Sequence, residues 1–551
     1  MRSLTADPPH APEPDLTSPA PPWLLSPAWQ RASAALKGEN PAGFVDAVEE
    51  LLAQYPDDPI LLYNSAVVSA DLGRLDEAVA RYDTLRRVAP AMRPRAVCGL
   101  LRAAQLSGSF ESTAHATAEA VTLLEQQLDA IDDVPLLKYF AYRRVFTPAL
   151  DRFGPALGRR IALLLGAPAL PAPPTRRERG RRLTIGYLSW GFGDHPIGHV
   201  TQDLFAAHDR DRFRILGFSG RDRGAEAAPY ARKIRASFDT CHEIGGLAPV
   251  EAARRIRAES VDILVALDQH MAWDGATSAP EILAHRPAPL QVSWLGVAAS
   301  AHLPFIDCLL ADAVTVPDGE DALFAERVIR LPGCFHCASP HPIAAQAPSR
   351  AECGLPETGP VFAGFNNIEK IDRASFDAWM AILRQVPDSV LWLTHRRQIG
   401  VTEANLRREA EVLGVAGDRL VFAGRLPDKS QHLARHRHAD LLLDTLTLNA
   451  STTALDALWA GLPVLTVQGS RFAARLAETF LRHAGLPELV MPDVGHFIAG
   501  AVALAGDRAR LAQLKARVVR QVAASGLFDT AGFARKLEAA YDQLWGDRPG
   551  S

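Results

Sequence analysis

Apolar residues along this chain follow two different periods, and the change of period divides it. After a proline-rich opening, apolar positions to about residue 165 recur at the three- and four-residue spacing of helices buried on one face. "GAPALPAPPTRRERGRR", Gly166 to Arg182, then reads as a linker, stiffened by proline and kept in solvent by charge. Beyond it, short continuous apolar runs alternate with helical stretches. "RLTIGYLS", "FRILGF", "VDILVAL", "LQVSWLG" and "CLLAD" form one series; "VFAGF", "SVLWLT", "RLVFAG", "DLLLDT" and "LPVLTV" form a second. Continuous apolar strands separated by helices predict parallel sheets covered on both faces, so the fold class is α/β with two doubly wound, Rossmann-like domains. "CFHCASPHPIAAQAPSRAECGLPE" lies between the series as a domain connection. The predicted parts are a tail over 1–25, a helical domain over 26–165, a linker over 166–182, and Rossmann-like domains over 183–345 and 346–548, the last with closing helices.

Within the helical part, "LLYNSAVVSADLGRLDEAVARYDTLRRVAP", Leu61 to Pro90, has small residues at Ala66 and Ala78, a turn glycine at Gly73, then Tyr82 and Pro90. These offsets resemble a tetratricopeptide repeat. Gly38 and Gly108 mark flanking copies at a regular interval, with "DAVEELLAQYP" and "ATAEAVTLLEQQL" as second helices. Stacked helix pairs bury together what one pair leaves exposed, which predicts an all-α tetratricopeptide-like domain, with an irregular helical bundle as the alternative.

Composition narrows the class of protein. The 551 residues are 48% hydrophobic and 22% charged, as in soluble globular chains of two or three domains. A net charge of −4 lacks the basic excess of a nucleic-acid binder, so no nucleic-acid partner is expected. No segment approaches a membrane span, and the N-terminus lacks a signal peptide's apolar core. Six cysteines scattered over this length form no disulfide framework, which predicts a reducing, cytoplasmic location. Cys334 and Cys337 flank His336 in "GCFHC", and without a second ligand pair they read as ordinary cysteines.

In open parallel sheets ligands bind beyond the carboxyl ends of the strands. Four such loops carry candidate chemistry. "WGFGDHPIGH" presents His195 before a proline, where an imidazole is suited to proton chemistry near neutral pH or, as the alternative, to a structural hydrogen bond within a turn. In "NNIEKID", Asp372 is the predicted N-cap of "RASFDAWMAILRQV", a helix with Phe376, Trp379 and Leu383 on its apolar face. Lys370 then precedes a helix start, a place that suits a cation once an anion joins it. "LPDKSQHLARHRHAD" spaces Lys429, His432 and Arg435 along one helical face or its entrance, for a nucleobase or simply for solvent. In "LTLNASTTALDALWAGLP" a strand leads into a helix whose first N–H groups, with the Thr452 and Thr453 hydroxyls, make an anion pocket; Asp456 one turn on suits a ribose. Plain capping by Ser451 or Thr452 is the alternative there.

Taken together these loops resemble the protein O-GlcNAc transferase and SPINDLY-like glycosyltransferases, from about Arg182 to Trp545. The resemblance also rests on "ILAHRPAPLQVSWLG", "VPDSVLWL" and the closing "LFDTAGFARKLEAAYDQLW". It implies a GT-B fold and inverting transfer of a sugar from a nucleotide donor, most often UDP-GlcNAc, to Ser or Thr of an acceptor protein bound through the repeat domain. By the same resemblance His195 is the active-site histidine, acting as base or positioning the acceptor. Lys370 lies on the donor diphosphate, with Asn367 beside it where relatives often have Gln. Lys429, His432 and Arg435 form the nucleotide-binding helix, Thr452 and Thr453 hold the diphosphate, and Asp456 holds the ribose. No cofactor and no metal is implied; the one DxD, Asp209 with Asp211, precedes a strand rather than following one. Two stretches depart from the family: Ser451 stands where a histidine is usual, and "VAASAHLPF", Val297 to Phe305, replaces a glycine-rich loop. Those departures leave open another donor such as GDP-fucose, a non-protein acceptor, or a non-catalytic repeat scaffold.

Overall fold

The structure is a computed structural model that describes residues 21–37, 40–171, 181–220, 229–271, 278–394, 400–424, 426 and 428–547. Its first helices are α1 (Pro27–Lys37), α2 (Pro41–Leu52), α3 (Pro59–Asp71), α4 (Leu75–Val88), α5 (Arg93–Ser107), α6 (Phe110–Gln127), α7 (Val134–Arg143) and α8 (Gly154–Leu165). Asp58, Ser109 and Asp133 accept first-turn N–H groups and so start α3, α6 and α7. Gly73 and Gly108, at φ 77° and 67°, end α3 and α5; Gly38 lies outside the described residues. From α1 to α6 each helix packs on the next, with Ala66, Ala78 and Tyr82 buried between them. A Cβ at Gly99 would stand 2.3 Å from the Tyr82 ring, so α4 and α5 approach this closely because that position has no side chain.

The apolar runs form two parallel sheets. The first joins β1 (Leu183–Ser189), β2 (Phe213–Ser219), β3 (Thr240–Glu243), β4 (Ile263–Ala266), β5 (Leu290–Ser293), β6 (Cys308–Ala311) and β7 (Arg327–Arg330) in the order 3-2-1-4-5-6-7. The second joins β8 (Val361–Gly364), β9 (Val390–Thr394), β10 (Leu420–Ala423), β11 (Leu441–Leu443), β12 (Val464–Val467) and β13 (Val490–Met491) in the order 10-9-8-11-12-13. Strand order therefore reverses between β1 and β4, and again between β8 and β11, and these are the places where ligands enter such sheets. Around the first sheet run α9 (Pro196–Thr201), α10 (Pro229–Ala236), α11 (Pro249–Ala258) and α12 (Ala279–Leu283). With the second come α13 (Arg373–Gln385), α14 (Gly400–Val412), α15 (Lys429–Ala434), α16 (Thr452–Trp459), α17 (Leu476–His483), α18 (Val494–Gly506), α19 (Arg508–Ala524) and α20 (Thr530–Gly546). This is the two-domain GT-B arrangement that the resemblance implies.

The strands β3, β7 and β13 had no counterpart among the apolar runs. All three lie at sheet edges, where one neighbour and partial exposure remove the need for a continuous apolar sequence. The last helix, α20, follows the second sheet in the chain but packs on the first. Tyr541 shares a 2.9 Å hydrogen bond with Tyr187 of β1, Glu538 bonds His208 at 3.0 Å, and Phe533 stacks on Trp294.

The helical part is seated on both sheets. Toward the first, Lys138 bonds the Ser278 hydroxyl at 2.8 Å and pairs with Glu281, and Arg144 donates to the Ser300 carbonyl at 2.8 Å. Toward the second, Thr402 and Asn405 of α14 donate to the carbonyls of Leu106 and Ser107 at 2.8 and 2.9 Å. Those carbonyls end α5 and have no partner of their own within it, so α14 acts as their cap. Phe110 also packs on Phe376 at 5.2 Å between ring centres, and Arg471 pairs with Asp151 at 2.6 Å.

Candidate active site

At the reversal point of the second sheet, the loops after β8 and β11 are stitched together. Asp372 caps α13 through the Ser375 N–H, as its position predicts, and its other oxygen accepts the Thr447 N–H at 3.1 Å. Asn366 donates to the Thr445 hydroxyl at 2.9 Å, and Lys370 Nζ donates to the Asn449 carbonyl at 2.8 Å. Beneath them Asp444, fully buried, accepts from the N–H groups of Thr445 and Ala450 and from the Thr466 hydroxyl at 2.7 to 2.8 Å. Burial pushes the Asp444 carboxyl up, against those hydrogen bonds and the charge of Lys370. The sequence alone shows Asp444 only as the end of a strand. An acid closing the apolar run "LLLD" was the signal, since a carboxylate there must find donors.

The start of α16 follows. Ser451 occupies the N-cap position, yet its side chain makes no capping bond. Its hydroxyl bonds His336 Nε2 at 3.1 Å instead. The Thr452 and Thr453 side chains are half-buried beside helix-start N–H groups that the Ser451 side chain does not cap. Asp456 is buried and ion-paired with Lys429, the first residue of α15; burial raises its carboxyl and Lys429 works against that rise. Lys429, His432 and Arg435 do cluster, but unequally. Arg435 is 3% exposed, lies 5.1 Å over the Phe365 ring, and donates to the Gly424 carbonyl and to His432 Nδ1 at 2.9 and 2.7 Å. Its burial lowers it to about 10. Asn367 is exposed beside Lys370 and donates to Glu369 at 3.2 Å.

Across the cleft, His195 caps α9: its Nδ1 accepts the Ile197 N–H at 3.3 Å. In the neutral ring the hydrogen then sits on Nε2. Gly191 allows this pose, because a Cβ there would stand 2.8 Å from His195 Nδ1. Asp268, at the end of β4, holds the same loop by accepting from Ser189 Oγ and the Trp190 N–H at 3.0 and 2.7 Å. The two sides meet through the domain connection: His341 bonds the His199 carbonyl at 3.0 Å, and Trp459 of α16 donates to the His341 carbonyl at 2.7 Å.

The sequence profile described as glycosyl transferase family 41 matches residues 159–343 and 338–537. The chain belongs to glycosyl transferase family 41. Similar curated proteins include the probable UDP-N-acetylglucosamine–peptide N-acetylglucosaminyltransferase SEC of Arabidopsis thaliana, 30% identical over 70% of this chain and 40% of that protein. The UDP-N-acetylglucosamine–peptide N-acetylglucosaminyltransferase of Caenorhabditis elegans is 25% identical over 70% of this chain and 42% of its own length. The probable transferase SPINDLY of Petunia hybrida is 28% identical over 67% and 39%. The chain thus spans about 40% of the length of the curated relatives it matches. Among solved structures, that of a mutant O-GlcNAc transferase from Thermobaculum terrenum superposes with a TM-score of 0.77 at 28% identity, covering 94% of this chain and 97% of that one.

In this family 41 chain the two departing stretches have definite surroundings. His336 Nδ1 lies 2.6 Å from the Cys337 carbonyl, which only accepts, so Nδ1 carries the hydrogen and Nε2 accepts from Ser451. Burial pulls His336 down to about 4, which keeps the ring neutral at physiological pH. Ser451 then offers lone pairs rather than a hydrogen to a ligand. The loop 297–305 is packed rather than open: Glu326 accepts from Ser300 and the Ala301 N–H, and His270 bonds the Ala301 carbonyl at 2.7 Å. Gln269, Leu295 and His302 around it all have φ between 46° and 80°, left-handed backbone that side chains resist and that gathers at functional loops. Cys334 and Cys337 are buried free thiols. Asp209 and Asp211 sit in the turn before β2, where Asp209 accepts the Asp211 N–H at 3.0 Å. Among the described residues no group of three or more His, Cys, Asp or Glu is placed to hold a metal ion, and no helix is long and apolar enough to cross a membrane.

Proposed function

We propose that this chain is an inverting glycosyltransferase that moves N-acetylglucosamine from UDP-GlcNAc to Ser or Thr hydroxyls of proteins, in the cytoplasm and without a metal. One observation supports the reading: Lys370 reaches the loop that starts α16, at the reversal point of the second sheet, in a chain of family 41. As the acceptor oxygen bonds the anomeric carbon, the bond to the diphosphate breaks and negative charge gathers on the leaving oxygen. A lysine and a helix start stabilise that charge most when it is largest, which is what lowers the barrier. Lys429, His432 and Asp456 hold the nucleoside, Thr452 and Thr453 the diphosphate. His195 positions the acceptor hydroxyl or takes its proton as the new bond forms, the departing diphosphate being the other base for that proton. A groove of about 650 Å³ on the helical domain, lined by Pro90, Met92, Arg95, Ile131 and Leu136, is the proposed seat for the acceptor protein.

Transfer from UDP-GlcNAc to an acceptor protein, lost in Lys370→Ala with the melting curve unchanged, is the expected result. Full activity in that variant would remove the phosphate site from the reading. A second reading, the same reaction with another donor, is favoured by the Ser451–His336 pair, because an acceptor at this position suits a different sugar hydroxyl pattern. Melting curves with UDP, GDP, CMP and dTDP separate the two, since a ligand at about 100 times its Kd stabilises by about 2.7 kcal/mol.

A further inference from the structure

We infer that the helical domain is a working part of the donor site: Arg143, through Glu369, positions the turn that carries Asn367 and Lys370. The inference rests on the reading of Lys370 as the diphosphate group.

The turn Ile368–Lys370 leaves the end of β8 and is closed by the Lys370 N–H on the Asn367 carbonyl at 2.9 Å. Its middle residue, Glu369, points away from the cleft into the helical domain. There it pairs with Arg143 of α7, the two side chains being 8% and 2% exposed. Asn367 bonds the other Glu369 oxygen at 3.2 Å, so one carboxylate gathers both ends of the contact. Arg143 is itself fixed. It bonds Gln105 of α5, which bonds Thr147 at 3.0 Å, and its guanidinium lies 4.3 Å over the Phe146 ring. α5 packs directly on the turn.

Docking two domains does not require a buried charge pair, because apolar side chains of similar volume serve as well or better. A charge pair fixes direction and distance, which apolar contacts do not. It also answers a local problem: Glu369 stands next to Lys370, and an unneutralised carboxylate there would compete with a diphosphate for the lysine's charge. Arg143 removes that competitor and orients the turn together.

The test uses the full chain with UDP-GlcNAc, reading donor hydrolysis without acceptor as well as transfer to an acceptor protein. The double variant Arg143→Met/Glu369→Leu leaves no buried charge unpaired and is expected to keep a cooperative melt. Its donor kcat/KM falls up to about 100-fold, the scale of a small misplacement of a reacting group, while the acceptor KM is unchanged. Arg143→Lys keeps the cation without the two-pronged contact and loses an intermediate factor. A folded double variant with wild-type donor kcat/KM, or a loss confined to the acceptor KM, overturns the inference. Should the double variant not fold, Arg143→Lys decides: an intermediate loss supports the inference and a wild-type value overturns it. Lys370→Ala run alongside separates the two readings. If it too keeps wild-type donor kinetics, the phosphate assignment fails and the inference with it; if it alone loses them, only the inference fails.

Discussion

His195 and His336 show how one residue type takes two roles according to what its ring nitrogens meet. His195 spends Nδ1 on the Ile197 N–H, which in the neutral ring leaves the hydrogen on Nε2. An asparagine at 195 retains an acceptor for that N–H, so His195→Asn is expected to melt like wild type while transfer falls about 100-fold or more. Alanine would confuse the result by also removing a cap worth about 1 kcal/mol. His336 is held at about 4 by burial, below its ordinary 6.5. Between those values the unfolded chain binds the proton and the folded chain does not, so stability is complete above pH 6.5 and is lost as pH falls toward 4. One such histidine accounts for about 2 kcal/mol between pH 6.5 and 5. Urea unfolding at the two pH values is expected to show a penalty smaller by about that amount in His336→Asn. From the sequence, His195 stands out as a candidate because proline and glycines surround it, whereas His336 in "GCFHC" gains its partner Ser451 only from far along the chain.

At the scale of elements, α13 and α16 illustrate what patterning reads well and where it stops. Phe376, Trp379 and Leu383 are all buried, as the spacing on one face of α13 predicts. Trp379→Ala is expected to cost about 3–5 kcal/mol in denaturant unfolding. For α16 the boundary was legible but the capping alternative was not settled, because Ser451 has the right chemistry for a cap and its actual partner lies in another segment. Asp444 belongs to this scale as well, since it ties the end of β11 to the loop before α16. Asp444→Ala strands the N–H groups of Thr445 and Ala450, at about 1–3 kcal/mol each. Loss of donor-induced thermal stabilisation is expected to exceed what the drop in melting temperature alone explains, because Asn449, which Lys370 contacts, lies on that loop.

On the scale of the molecule, the helical part behaves as a wall shared by both sheets rather than an appendage. Its α5 is capped by side chains of α14 from the second sheet, its Phe110 packs on Phe376, and it holds the Lys370 turn through a buried ion pair. A chain lacking residues 1–165 is therefore expected to lose nucleotide-induced stabilisation as well as acceptor binding; a truncated chain that still binds nucleotide like wild type would assign the helices to acceptors alone. Breaking the pair on one side only, as in Arg143→Met, leaves a buried carboxylate and is expected to cost about 3–5 kcal/mol, more than the double variant does. The return of α20 to the first sheet through Tyr541 and Glu538 binds the domains a second time, at the far end of the chain.

Local order alone determined the two regimes of the chain, the apolar strands at the sheet centres, the capped start of α13 and the loops in which candidate chemistry gathers. Those features depend on periodicity, turn residues and capping, all of which act over a few neighbouring positions. The edge strands β3, β7 and β13, the partner of Ser451, the donors around Asp444 and the Arg143–Glu369 pair were decided by tertiary structure. Each depends on a group far away in sequence, and a buried polar residue shows its need for a partner without showing which one meets it.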